Sequence, residues 1–313
     1  MRIVFMGTPV FAVPVLSALA DAGHEVLAVY TQPDRPAGRG KRIASSPVKE
    51  YATDHALPVH QPPSLKRDDA QRALASLSPE VTVVAAYGLF LPTRVLQLPP
   101  LGCLNVHPSL LPRYRGPSPA PAAILNGDPV TGATIIKLDE RMDTGPIVAA
   151  RETPIGPKEN AVELTVRLFE IGASLLVDVL PGWASGDIHT RPQDESQATV
   201  TKRLSRENGE IDWSVDAEQI SRQVRAYHPW PGSFTHWRDK LLKIIEASVP
   251  AAEEGPKATP GTVEQLPSGA LGIATGNGAL EVRTLQLEGG RALSAKDFMQ
   301  SHPDLVGASL GHQ

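Results

Sequence analysis

The sequence predicts an α/β protein in two parts, a doubly wound, mostly parallel sheet followed by a small β-barrel. Three observations predict it. Short β-branched runs alternate with helix-like segments through the first half of the chain. The stretch PGWASGDIHTRPQDESQATV then loses all periodicity and gains Pro, Gly, Asp and Ser, as connecting chain does. Beyond it, short apolar runs are separated by Gly and turn residues at hairpin spacing.

The elements follow in order. RIVFM (2–6) ends at Gly7, and a helical stretch runs from there to Ala22-Gly23. EVLAVYT (25–31) and VTVVAAYG (81–88) are the next buried strands, with helices over 47–56 and 68–77 between them. These runs are apolar at both alternating positions, so both faces of the sheet must be covered. GCLNVHPSLLP (102–112) is a strand entering a loop, and a helix runs from Ser118 to Leu125. TGATIIKLD (131–139) and GPIVAARET (145–153) are further strands, and apolar residues at helical spacing make 161–180 the longest helix. In the second part a helix over 216–227 leads to strands near 232–238, 240–249, 261–266, 270–275 and 279–287, with a last helix near 294–300. The expected division is 1–186, a linker over 187–205, and a barrel over 206–313.

Composition excludes several classes. Apolar residues make up 41% and charged residues 20%, ordinary values for a soluble globular protein. The opening MRIVFMGTPVFAVPVL is too short and too interrupted for the apolar run of a signal peptide. No stretch approaches the roughly 20 apolar residues of a membrane span. Cys103 is the single cysteine, so no internal disulfide is possible, which fits a cytoplasmic protein. The net charge is −4, and residues 206–313 carry 10 basic against 14 acidic residues. A polyanionic partner must therefore be held by local patches rather than by a general positive field.

Asn105 and His107 lie two apart on a strand, so their side chains project to the same side. An amide beside an imidazole suits a carbonyl oxygen that becomes negative. So short a pattern also fits a buried pair satisfied by the backbone. Asp143, in ERMDTGPI, sits where Gly145 and Pro146 turn the chain, and a carboxylate there can exchange protons with an imidazole or cap its own turn. The segment SLLP (109–112) and Ala86-Tyr87-Gly88 offer apolar walls and free backbone groups, suited to a planar heterocycle. PDRPAGRGKR (33–42) places Arg35, Arg39, Lys41 and Arg42 against one acid, Asp34, and suits phosphate or bases as well as plain solvation. MGTP lacks G-x-G-x-x-G spacing, which counts against a dinucleotide. No cluster with metal-ligand spacing is present, and no metal is expected.

Taken together, GTPVFAVPVLSAL, YTQPDRPAGRGK, SPVK, VVAAYGLFLP, GCLNVHPSLLPRYRG, GATIIKLDERMDTGPI and RAYHPWPGSF resemble, in this order, the folate-dependent formyltransferase family, and within it the branch acting on methionyl-tRNA. The resemblance implies a formyltransferase-type sheet and an OB-like barrel. It implies 10-formyltetrahydrofolate as formyl donor and initiator methionyl-tRNA as acceptor, in the service of translation initiation, with no obligate protein partner. The catalytic trio falls on Asn105, His107 and Asp143. The folate segment falls on Ser109, Leu110, Leu111 and Pro112, beside Tyr87 and Gly88. The tRNA loop falls on Arg35, Arg39, Lys41 and Arg42. Two positions depart from the common pattern, Pro121 where a Gln is usual and Pro108 where many of the tRNA-acting members carry Gly. The alternatives are a formyltransferase acting on a small-molecule amine and a non-catalytic RNA-binding protein on the same scaffold.

Overall fold

A computed structural model describes residues 1–37, 42–250 and 258–311. Backbone contacts divide the chain into two compact units. The first holds residues 1–119, 130–154 and 165–201, and the second holds 120–129, 155–164 and 202–313.

The strands of the first part are β1 (Arg2–Gly7), β2 (Glu25–Tyr30), β3 (Arg35–Ala37), β4 (Arg42–Ala44), β5 (Val59–His60), β6 (Val81–Ala85), β7 (Cys103–His107), β8 (Val130–Lys137) and β9 (Ile147–Pro154). The helices up to Ser185 are α1 (Val13–Asp21), α2 (Pro47–Asp54), α3 (Asp68–Ser76), α4 (Thr93–Leu96), α5 (Pro119–Leu125) and α6 (Ala161–Ser185), of which α5 and the first turn of α6 fall in the second unit. Seven strands form one sheet in the order β5-β2-β1-β6-β7-β8-β9. Neighbours from β5 to β7 are parallel, whereas β8 and β9 join antiparallel.

Both faces of this sheet are covered, as its unbroken apolar runs require. Ile3, Phe5, Val83, Leu104 and Val106 pack with Leu16, Phe169 and Leu176 on one face. Val4, Met6, Tyr30, Val84 and Cys103 pack with Leu65, Leu74 and Val95 on the other. Alternation along each strand thus sends successive side chains into two different cores. Burial pushes the Cys103 thiol up to about 12, so it is no nucleophile despite lying on β7.

The long helix α6 runs five residues past Leu180, through Pro181. A proline keeps helical φ and forfeits one N–H bond. What holds the extra turn is Trp183, which packs on the first core and donates its indole N–H to the Leu101 carbonyl at 3.1 Å. Gly186, at φ +82°, then ends the helix in the left-handed conformation usual there.

The second unit is an antiparallel half-barrel. Its strands β10 (Ser233–Trp237), β11 (Lys240–Ser248), β12 (Val263–Gln265), β13 (Leu271–Ala274), β14 (Ala279–Leu287) and β15 (Leu293–Ser294) follow the order β10-β11-β14-β13-β12, with β15 on β14. Helices α7 (Ala217–Ala226) and α8 (Ala295–Ser301) close on its core through Ile220, Val224 and Phe298. Both are capped as their sequences demand, Asp216 accepting from the Gln219 N–H at 2.7 Å and Ser294 from the Asp297 N–H at 3.1 Å. No helix among the described residues is long and apolar enough to cross a membrane.

Candidate active site

Strand β7 sorts its side chains by parity. Leu104 and Val106 enter the core under α6, while Asn105 and His107 face the opposite side. His107 is 3% exposed and Asn105 9%. Among the described residues the Asn105 amide takes no hydrogen bond, although it is almost enclosed. Its polar atoms keep some solvent contact, so the amide is open to a bound reactant.

Asp143 reaches the same spot by a route that its distance in sequence does not suggest. The chain after β8 starts beside the beginning of β7, where the Leu138 N–H donates to the Cys103 carbonyl at 2.8 Å. It doubles back before rejoining the ladder at Ile147, opposite Ile136. Asp143 lies on this return at φ +56°, and its Oδ2 is 3.6 Å from His107 Nδ1. The same oxygen accepts the Gly116 N–H at 2.8 Å.

His107 Nε2 lies 3.0 Å from the Tyr114 carbonyl. A carbonyl only accepts, so Nε2 carries a hydrogen and Nδ1 is the nitrogen left to exchange a proton. At 3.6 Å the Nδ1–Asp143 contact is an ion-pair distance and not a full hydrogen bond, which leaves Nδ1 able to engage a reacting atom as well. An amide donor and an imidazole with one free nitrogen thus share a side of β7, with a carboxylate against the imidazole. That set can steady an oxygen gaining negative charge and take up a proton.

The segment 109–112 is built from inside. Ser109 is fully buried, its hydroxyl donating to the Arg113 carbonyl at 2.7 Å, while its own carbonyl accepts from Thr134 Oγ1 at 2.6 Å. The Leu111 N–H donates to the same threonine at 3.2 Å. Ser109 and Leu111 therefore shape the loop, and Leu110 and Pro112, both half-buried, are the residues it presents. The Tyr87 ring is buried in the second core, and its carbonyl accepts from Thr8 Oγ1 at 2.9 Å and Gln32 Nε2 at 3.0 Å. Gly88, at φ +78°, leaves room that a Cβ would take from the Gln32 amide. Ala86 is also left-handed, at φ +48°, so this loop carries an unusual backbone beside Tyr87.

Of the basic loop, Arg35 is exposed on β3, and Arg42 lies on β4, its backbone opposite Ala37. Arg39 and Lys41 lie outside the described residues. Sequence reasoning missed the base of this hairpin. Asp34 accepts from Lys49 Nζ at 2.5 Å and from Gln61 Nε2 at 2.7 Å, and these bonds hold its carboxyl below the usual range. The lone acid in PDRPAGRGKR thus anchors the loop instead of merely diluting its charge. Among the described residues no group of His, Cys, Asp and Glu could hold a metal ion.

Comparison with known proteins matches residues 1–180 to the model of the formyl transferase family and residues 203–303 to that of the formyl transferase C-terminal domain. The chain is 51% identical over 308 residues to a methionyl-tRNA formyltransferase of Chloroflexus aurantiacus, covering 98% of this chain and 99% of that protein. It is 46% identical over 311 residues to one of Methylococcus capsulatus, covering 99% and 100%. Among solved structures, HypX of Aquifex aeolicus in complex with tetrahydrofolic acid has a TM-score of 0.66 at 21% identity, over 98% of this chain and 48% of that one. WlaRD, a sugar 3N-formyl transferase, has a TM-score of 0.68 at 16% identity, over 93% and 99%. These two likenesses speak for the fold.

Proposed function

The chain belongs to the methionyl-tRNA formyltransferase family, and from that membership we propose how its own residues carry the reaction. It is an enzyme that formylates methionyl-tRNA. The acceptor atom in this reading is the α-amino nitrogen of initiator methionyl-tRNA, and the donor is 10-formyltetrahydrofolate. We place the enzyme in the cytoplasm, at the start of translation, acting with neither a metal nor an obligate protein partner. Residues 1–186 form the catalytic portion and 206–313 the tRNA-facing barrel in this division.

The donor, when bound, supplies an electrophilic formyl carbon. The residues that would hold it are Leu110 and Pro112, with the loop of Tyr87 and Gly88, whose shape Ser109 and Leu111 maintain. The amine nitrogen forms a bond to the formyl carbon, the carbon–nitrogen bond to the folate breaks, and one amine proton must leave. An α-amine titrates near about 8, so about a quarter of it is already neutral at pH 7.5 and needs alignment more than deprotonation. Asn105 donates to the formyl oxygen as negative charge builds there. His107 Nδ1, opposite Asp143, holds a proton at the same place, and the Asp143 carboxylate accepts the proton that the amine loses and passes it on to the folate nitrogen, which leaves as a neutral amine. The observation that carries this reading is that the Asn105 amide, unpartnered among the described residues, shares a side of β7 with His107, whose Nδ1 faces Asp143 at 3.6 Å. Arg35, Arg39, Lys41 and Arg42 would grip the tRNA.

The test supplies charged initiator and elongator methionyl-tRNAs with 10-formyltetrahydrofolate and measures formyl-methionine. Wild type is expected to formylate the initiator, and Asp143→Asn to do so at least about 100-fold more slowly. No product from wild type, or full activity in the Asp143 variant, defeats the corresponding part of the proposal.

A further inference from the structure

Asp143 occupies a left-handed backbone conformation, φ +56°, which aspartate adopts more readily than most non-glycine residues but which is still uncommon. Its backbone is gripped by residues far along the chain. Gln193 Nε2 donates to the Asp143 carbonyl at 2.8 Å and to the Gly145 carbonyl at 2.8 Å. Gln193 Oε1 accepts from Arg115 Nε at 3.0 Å and from Arg115 Nη2 at 2.8 Å. Arginine only donates and the two carbonyls only accept, so the orientation of this amide is dictated by its partners.

Arg115 is 6% exposed and forms a two-pronged pair with Glu195, Nη1 to Oε2 at 2.9 Å and Nη2 to Oε1 at 2.9 Å. Its backbone is held by the same stretch of chain, the N–H donating to the Thr199 carbonyl at 2.9 Å and the carbonyl accepting the Thr201 N–H at 2.7 Å. Arg115 also lies between the two residues that fix the reacting groups. Tyr114 before it holds His107 Nε2, and Gly116 after it holds the Asp143 carboxylate. Residues 191–201, which composition alone reads as connecting chain, therefore tie the His107 anchor and the Asp143 loop to one another.

We propose that Gln193, carried by Arg115 and Glu195, is a positioning residue that sets where the Asp143 carboxylate stands relative to His107 Nδ1. This rests on the acid–base role proposed above for that pair. The clamp touches no substrate and acts through the backbone of Asp143. Loosening it would let that backbone relax towards an ordinary conformation and move the carboxylate away from a 3.6 Å contact.

Gln193→Glu tests this with a side chain of nearly the same shape. The variant still accepts from Arg115 but turns a carboxylate on the two carbonyls where an amide donated. The expected result is a kcat lowered by about 10- to 100-fold, the range that a misplacement of about 1 Å produces, with KM for both substrates within about twofold and Tm within a few degrees. In an Asp143→Asn background the same change should cost less than about twofold, because the group it positions is already disabled. Glu195→Gln, which weakens the two-pronged pair with Arg115 while Gln193 still accepts from that arginine, should give a smaller loss in the same parameter. Unchanged kcat in Gln193→Glu, an equal loss in the Asp143→Asn background, or a loss confined to KM would overturn the inference. Full activity of Asp143→Asn alone would instead remove the acid–base reading beneath it, so the two failures are told apart.

Discussion

The Asn105 side-chain amide has no hydrogen-bond partner among the described residues, and its polar atoms keep some solvent contact although the residue is only 9% exposed, which leaves them open to a reactant. His107, two residues on, has Nε2 bonded to the Tyr114 carbonyl at 3.0 Å and Nδ1 facing Asp143 at 3.6 Å. The two should therefore answer differently to truncation. Asn105→Ala is expected to lower kcat by about 10²–10³ while leaving the KM for tRNA and the Tm nearly unchanged, since no hydrogen bond within the protein is lost. Steady-state kinetics with a thermal melt checks this, and near-normal turnover would take Asn105 out of the chemistry. The pairing of Asn105 with His107 is readable from strand parity alone. The partners of His107 are not, because Tyr114 and Asp143 both approach it in left-handed conformations that non-glycine residues seldom adopt.

At the scale of elements, long periodic segments were readable and short ones were not. The helix over Ala217–Ala226 and the strand over Ala279–Leu287 carry enough residues for a period to show. Strands β3, β4, β5 and β15 have two or three residues each, barely one repeat of a strand's two-residue alternation and too few for it to show. The antiparallel joining of β8 and β9 was equally hidden, because direction is decided by which edge is vacant when the chain returns. One glycine on β8 records how tightly that edge is built. A Cβ at Gly132 would run into the Arg151 carbonyl across the ladder and the Leu110 side chain. Gly132→Ala should destabilise the protein by about 1–3 kcal/mol, seen as a lower Tm, and raise the KM for the folate through Leu110. An unaltered folate KM would separate Leu110 from the folate site.

For the whole molecule, charge limits how the tRNA can be held. The net charge is −4, and residues 206–313 are acidic in sum, so affinity must come from a few local contacts. Neutralising even three phosphates should weaken tRNA binding by more than about tenfold between 50 and 200 mM salt. Removing Arg35 should flatten that dependence, and a filter-binding series at several salt concentrations measures both. A salt-independent Kd would show that phosphate contacts do not carry the binding.

The sequence by itself determined the α/β class, the order of its main elements, the family, and the shared facing of Asn105 and His107. Each of these rests on local periodicity or on contiguous motifs, and both survive without knowledge of the fold. Only the tertiary structure decided that the chain after β8 doubles back to bring Asp143 beside His107 Nδ1. It also decided that Asp34 anchors the basic loop through Lys49 and Gln61, and that Gln193 and Arg115 grip the Asp143 backbone. These contacts join residues up to 78 positions apart through side-chain hydrogen bonds to backbone carbonyls and to one another. Such bonds leave no period and need no particular neighbour in sequence, so folding had to bring the partners together before they could be recognised.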